Sequence, residues 1–180
     1  MKRSVYIAAS AFLILSFIPA AAWSGVDPIP KKTFHSNLIK VCIKDISDVS
    51  GNKKLSPADF KDALKQAFIT RKSIAFIVVD KPEESDVQIS ARVKRLQYMD
   101  RGPLKPSVSP GTVMLDAMAT MDSNYADMDV QFFVVDTKSG KEIWNANIYA
   151  YLKKKMTEAE SIPIIFDKIA RKFVAKSFGK

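Results

Sequence analysis

His35 is the only histidine and Cys42 the only cysteine among the 180 residues, and that scarcity limits the chemistry this chain can do. A structural zinc site needs about four nitrogen, sulfur or carboxylate ligands, and an activated Ser or Cys nucleophile needs an imidazole or similar base beside it. One His and one Cys leave almost nothing from which to build either. Cys42 lies inside the apolar stretch Ile39-Lys40-Val41-Cys42-Ile43 and reads as a buried, inert thiol on a strand. Paired carboxylates occur as Glu83-Glu84 and as Asp127 with Asp129. The first pair sits at a strand entrance and the second alternates along a strand, so both read as solvated surface rather than as a general acid and base. A Gly-rich phosphate loop, a G-x-S-x-G elbow and an H-E-x-x-H helix are all missing from the sequence. The chain therefore reads as non-enzymatic, with no cofactor and no metal.

Binding residues are better represented than catalytic ones. Lys168, Lys172 and Lys176 recur every four residues with Arg171 beside them, which gives a terminal helix a mostly positive outer face. Like charges at that spacing cost a few tenths of a kcal/mol per pair, a cost that an anionic partner would offset. Five aromatics, Phe132, Phe133, Trp144, Tyr149 and Tyr151, fall in one predicted hairpin. Strand alternation sends Phe132 and Trp144 to the core and leaves Phe133, Tyr149 and Tyr151 together on the opposite face. Such a row fits a docking surface or simple cross-strand aromatic pairing.

Period-two and helical patterns supply the elements that position these residues. Leu38 to Ile46 alternates as a strand, and Ser56-Pro57-Ala58-Asp59 is a helix start with Ser56 as N-cap and Pro57 at the first helical position. Phe60, Ala63, Leu64, Ala67 and Phe68 form the buried stripe of that helix. Ile74 to Val79 is a compact apolar strand, Val87 to Val93 alternates clearly, and Met128 to Val134 does so again. Thr137-Lys138-Ser139-Gly140 turns the chain into a strand from Ile143 to Leu152. Met99 to Ser109 is a proline-rich loop, and Val113 to Met121 fits a strand or a helix, read here as a strand leading into a turn at Asp122–Tyr125. Ser161-Ile162-Pro163 starts the last helix, whose stripe runs through Ile165, Phe166, Ile169 and Phe173, with Gly179 placed to end it. This order predicts an α+β two-layer sandwich: a mainly antiparallel or mixed sheet with two helices packed on one face.

Residues 1–22 read as a secretory signal peptide. Lys2 and Arg3 precede an apolar run from Val5 to Ile18, and Ala20-Ala21-Ala22 offers a small-residue cleavage site. That run is shorter than the roughly 18–20 residues of a membrane span, so the expectation is cleavage after Ala22 and a periplasmic protein. With no cysteine near that site, lipid attachment at a new amino terminus is not expected. Residues 23–37 read as an extended leader and 38–180 as one domain. The net charge of +9 falls to +7 without Lys2 and Arg3. In an exported protein that surface favours anionic lipid or glycan over nucleic acid.

The hairpin run Val134-Val135-Asp136-Thr137-Lys138-Ser139-Gly140-Lys141-Glu142-Ile143-Trp144 resembles the V-D-x-x-[ST]-G-x-x-[IV]-W hairpin of bacterial envelope proteins with an anticodon-binding-domain-like fold. Members of that group include the lipoprotein activator of a bifunctional penicillin-binding protein, the curli secretion channel protein and the amino-terminal domain of the Tol-system propeller protein. Asp45-Ile46-Ser47-Asp48 and Ser85-Asp86-Val87-Gln88-Ile89-Ser90-Ala91-Arg92-Val93 are similar to further strands of those proteins, although Ala91 stands where they usually carry Gly. The resemblance implies an α+β fold and an envelope location, and by analogy an accessory domain that binds an envelope protein or assembly, such as a cell-wall synthase or a secretion or outer-membrane component, through its sheet face or through the proline-rich loop from Met99 to Pro110. The alternative is a module for anionic lipid or glycan that uses the basic terminal helix.

Overall fold

The structure is a computed structural model that describes residues 27–30, 34, 38–99, 124–154 and 156–179. The expected signal peptide (1–22), His35, most of the proline-rich loop and the 113–121 segment lie outside the described residues. The described residues form five strands and two long helices: β1 (Leu38–Asp48), α1 (Pro57–Ile69), β2 (Ala75–Val79), β3 (Val87–Met99), β4 (Asn124–Asp136), β5 (Glu142–Lys154) and α2 (Glu158–Ser177). The sheet order is β2-β1-β3-β4-β5. β3, β4 and β5 pair antiparallel, whereas β1 runs parallel to both β2 and β3. This is the expected mixed sheet with its helices on one side.

β1 divides its length between two neighbours. Leu38 to Cys42 pair with β2, while Val41 to Asp48 pair with β3. β3 therefore begins at the level where β2 ends, and seven residues suffice to step from one to the other. The step is pinned where the Asp86 amide donates to the Lys40 carbonyl (2.8 Å) and the Asp86 carboxylate accepts from the Lys40 amide (2.8 Å). It also covers Cys42, which is buried and donates its thiol to the Asp80 carbonyl at 3.6 Å. Burial raises the Cys42 pKa, which keeps the thiol protonated and unreactive, as its apolar sequence context implies.

The core lies between the inner sheet face and the two helices. Phe60, Leu64 and Phe68 of α1, Ile165, Ile169 and Phe173 of α2, and Val41, Ile89, Met128, Phe132 and Ile148 of the sheet are all fully buried. Phe173 stacks on Phe132 with ring centroids 4.1 Å apart and meets Trp144 at 5.6 Å and Phe68 at 6.1 Å. α1 starts as its sequence predicts, with the Ser56 hydroxyl accepting from the Asp59 amide at 3.2 Å. α2 starts one turn earlier than Ser161 predicts. Thr157 is the N-cap, its hydroxyl accepting from the Glu160 amide (3.3 Å) while the Glu160 carboxylate accepts from the Thr157 amide (2.8 Å). This reciprocal pair stabilises a turn that Pro163, now inside the helix, leaves one backbone donor short. Asn124 and Tyr125, read as a turn, are the first residues of β4.

Part of the leader is built into the domain. Ile29 is buried and its amide donates to the Ser177 carbonyl at 2.7 Å, while the Trp144 indole donates to the Asp27 carbonyl at 3.1 Å. Gly140 closes the β4–β5 hairpin at φ +66°, the left-handed region that other residues enter at a cost. The turn is tied by Asp136, which accepts from the Ser139 hydroxyl (2.5 Å) and the Ser139 amide (2.9 Å). Those donors hold the Asp136 carboxyl below its ordinary value. A carboxyl with a lowered folded-state pKa stabilises the fold above its unfolded value, roughly pH 4, and that contribution fades as pH falls through the folded value. Asp136→Asn is therefore expected to lower stability at pH 7 and to change it little at pH 2.5. Denaturant titrations at the two pH values measure this, and an equal effect at both would refute the assignment.

Candidate functional site

Both helices pack on the inner face, so the outer face of the sheet carries no element of the described chain except the short crossing at Cys42. Pairing register fixes what stands on it. In the strand order β3-β4-β5, successive outer rows are Ser90-Phe133-Asn145, Arg92-Gln131-Asn147, Arg95-Asp129-Tyr149, Gln97-Asp127-Tyr151 and Met99-Tyr125-Lys153. Phe133, Tyr149 and Tyr151 share this face, as alternation predicts. Phe133 and Tyr149 are half-buried and Tyr151 is 54% exposed.

At one end of the face the aromatics form a cluster. The Tyr125 and Tyr149 hydroxyls are hydrogen-bonded at 2.6 Å, Tyr125 stacks with Tyr151 at 6.2 Å, and Tyr151 stacks with Tyr149 at 6.4 Å. The bond to Tyr149, then burial, raises the Tyr125 phenol well above its ordinary range, so that hydroxyl keeps its proton at any physiological pH. The Arg95 guanidinium lies over the Tyr149 ring at 5.5 Å. Its Nε is also 2.8 Å from Asp127 Oδ1 but off the N–H direction, which makes the contact an ion pair rather than a hydrogen bond. Cross-strand pairing is therefore present, and Tyr151 still offers an exposed aromatic edge.

Asp127 corrects the sequence reading. It does alternate onto the outer face, yet it is only 4% exposed, because Arg95 pairs with it and the neighbouring tyrosines crowd the strand. Tyr125 and Arg95 belong to this cluster and were not expected there. The sequence pattern places Tyr125 in a turn, whereas it is the second residue of β4. Arg95 reaches the outer face only because β3 slips register between Val93 and Arg95, a bulge that no period-two count reveals. Glu83 and Glu84 are exposed, and Glu84 pairs with Lys81 at 3.3 Å, consistent with the surface role expected of them.

The basic residues of α2 are exposed, but most are occupied. Lys168 donates to the Tyr151 carbonyl (2.6 Å) and its ammonium sits over the Tyr151 ring at 5.2 Å. Lys172 donates to the Tyr149 carbonyl at 2.7 Å. β5 is an edge strand, and these two lysines satisfy carbonyls that a sixth strand would otherwise seek. Desolvation first, then repulsion from Lys176 and Lys168, lowers the Lys172 pKa. Arg171 Nε reaches both carboxylate oxygens of Asp167, at 2.7 and 2.8 Å. Of the four cations that the sequence singles out, Lys176 alone keeps no close carboxylate or carbonyl among the described residues. Among those residues no cluster of three or more His, Cys, Asp and Glu is placed to hold a metal ion.

No protein-family model matches the chain, and no curated protein matches it by sequence. Solved structures do resemble it. PelC from Paraburkholderia phytofirmans, a dodecamer, is 12% identical over 87% of this chain and 95% of its own, with a TM-score of 0.53. The hypothetical protein CT253 from Chlamydia trachomatis is 9% identical over 76% of this chain and 94% of its own, with a TM-score of 0.50. A weaker likeness, 9% identity over 76% of this chain and 98% of its own with a TM-score of 0.41, is to the lipoprotein GNA1162 from Neisseria meningitidis. The individual likenesses to the penicillin-binding protein activator, the curli channel protein and the Tol-system protein rest on the hairpin and strand motifs alone. The likeness to PelC and CT253 is one of fold, the α+β sheet with two helices described above.

Proposed function

We propose that this chain is a non-catalytic accessory module of the bacterial envelope, exported to the periplasm, that docks a protein of an envelope assembly through the aromatic end of its open sheet face. The observation that carries this reading is the Tyr125–Tyr149–Tyr151 cluster with Arg95 over it, standing on a sheet face that neither helix covers. Tyr and Arg are enriched among the side chains that dominate protein interfaces: Tyr buries a large area with few rotamers and a polar end, and Arg adds a planar cation that stacks and forms several hydrogen bonds. The rings are already stacked and hydrogen-bonded, so little side-chain freedom remains to be lost on binding. The export signal, the envelope-type hairpin motif and a fold shared with bacterial proteins all support the compartment.

Site-directed photo-cross-linking tests the proposal. A cross-linking amino acid at Gln97, which is exposed beside Asp127, is expected to capture a discrete envelope protein in living cells, and Tyr149→Ser with Tyr151→Ser is expected to abolish the adduct. The same probe at Asp62 on α1 serves as the control face. Adducts from α1 alone, or adducts that survive the double substitution, would overturn the proposal.

A further inference from the structure

We infer that the centre of the same sheet face, next to but separate from the tyrosine cluster, is a binding surface for a carboxylated polysaccharide. The surface is made by the β3 bulge. Regular alternation would put Arg92 and Lys94 outward and Arg95 inward; the extra residue between Val93 and Arg95 turns all three cations to one side within four positions. Arg95 is neutralised by Asp127. Arg92 is exposed and no carboxylate lies within ion-pair distance of it among the described residues, and the only bond of the Lys94 ammonium there is to the Asn147 side-chain oxygen at 2.9 Å. Lys54, Lys65, Lys81 and Arg171 have an acidic partner, whereas Lys44, Lys53, Lys72, Lys138 and Lys141 are exposed with none among the described residues; what sets Arg92 and Lys94 apart is that the strand places them together beside the amide rows of the sheet face. Two uncompensated cations side by side, on a chain whose net charge of +9 is still +7 without Lys2 and Arg3, favour an anion.

The surroundings of those cations choose the kind of anion. Arg92 stands in a row with Ser47, Gln131 and Asn147, and the next row holds Ser90, Phe133 and Asn145. Gln131 donates to the Asn145 side-chain oxygen at 3.3 Å, so the amides are held in place with donor and acceptor capacity left over. A protein partner needs an apolar centre from which water is driven out, and this field has only the half-buried Phe133. Fixed amides suit sugar hydroxyls, the planar fork of a guanidinium matches a carboxylate bidentately, and a single flat ring suits the apolar side of a pyranose. Four strands at about 4.8 Å spacing give a strip roughly 14 Å across. The basic face of α2 is a poorer candidate for the same anion, since Lys168 and Lys172 already bond carbonyls of β5.

The test uses the full exported chain and hexagalacturonate as the probe, titrated calorimetrically at about 0.15 M salt, where exposed charges are screened beyond about 8 Å. Saturable binding is expected, weakened at least tenfold by Arg92→Gln with Lys94→Gln, several-fold by Asn147→Ala, and not at all by Lys176→Gln. Neutral maltohexaose should not bind, and hexaglutamate should bind at least tenfold more weakly than the uronate. Equal binding of hexaglutamate would reduce the surface to a generic polyanion patch and overturn the inference. So would an unchanged affinity in the Arg92/Lys94 double variant, or no binding of hexagalacturonate at millimolar concentration.

Discussion

Phe173→Ala is expected to destabilise the domain by about 3–5 kcal/mol, the range for truncating a buried aromatic in a well-packed core. Phe173 is fully buried, and its ring is where the two layers meet: it stacks on Phe132 of β4, touches Trp144 of β5 and meets Phe68 of α1 edge-on. Removing it empties space bounded by three different elements, none of which can move inward without losing its own contacts, so the cavity collapses poorly. Lys176→Gln, three residues away on the exposed side of the same helix, should change stability by less than about 0.5 kcal/mol. Equilibrium urea unfolding of both variants is the measurement. A loss below about 1 kcal/mol for Phe173→Ala would lie outside the core-truncation range and would mean that α2 does not pack as described.

That core was legible because side chains with a fixed period must share a face. The stripe from Ile165 to Phe173 and the alternation from Val87 to Val93 each named their buried residues without knowledge of any partner element. Boundaries were less legible where two local signals compete. Thr157-Glu158-Ala159-Glu160 carries a capping box, yet Ser161 and Pro163 offer a plausible start one turn later, and the choice falls to Thr157 because its cap satisfies two backbone groups at once. Least legible was anything that depends on which strands become neighbours. The repeat of Lys168, Lys172 and Lys176 is visible in the sequence, but that the first two reach the carbonyls of an edge strand follows only from the sheet order. The bulge that turns Arg95 outward, and with it the burial of Asp127, has no periodic signature at all.

The second large effect is expected at Trp144, where two contributions can be separated. Its ring is 4% exposed and packs on Phe173, while its indole N–H, at 3.1 Å from the Asp27 carbonyl, holds the leader against the domain. Trp144→Ala removes both and should cost about 3–5 kcal/mol. Trp144→Phe keeps most of the apolar volume and removes only the donor, so its global cost should be nearer 1–2 kcal/mol, the range for losing a partly buried hydrogen bond with a small loss of packing. The leader should respond more sharply than the domain does. Ile29 is anchored through its amide to the Ser177 carbonyl and is adjacent in the chain to the Asp27–Pro28 segment that Trp144 fixes. With that bond gone, the Ile29 amide should exchange with solvent at least tenfold faster, while amides in the middle of β4, such as Val130 and Phe132, keep the protection set by global stability. Hydrogen exchange read residue by residue makes the comparison. If Ile29 slows and quickens only in step with β4 in Trp144→Phe, the leader belongs to the cooperative core and Trp144 contributes to it through packing alone.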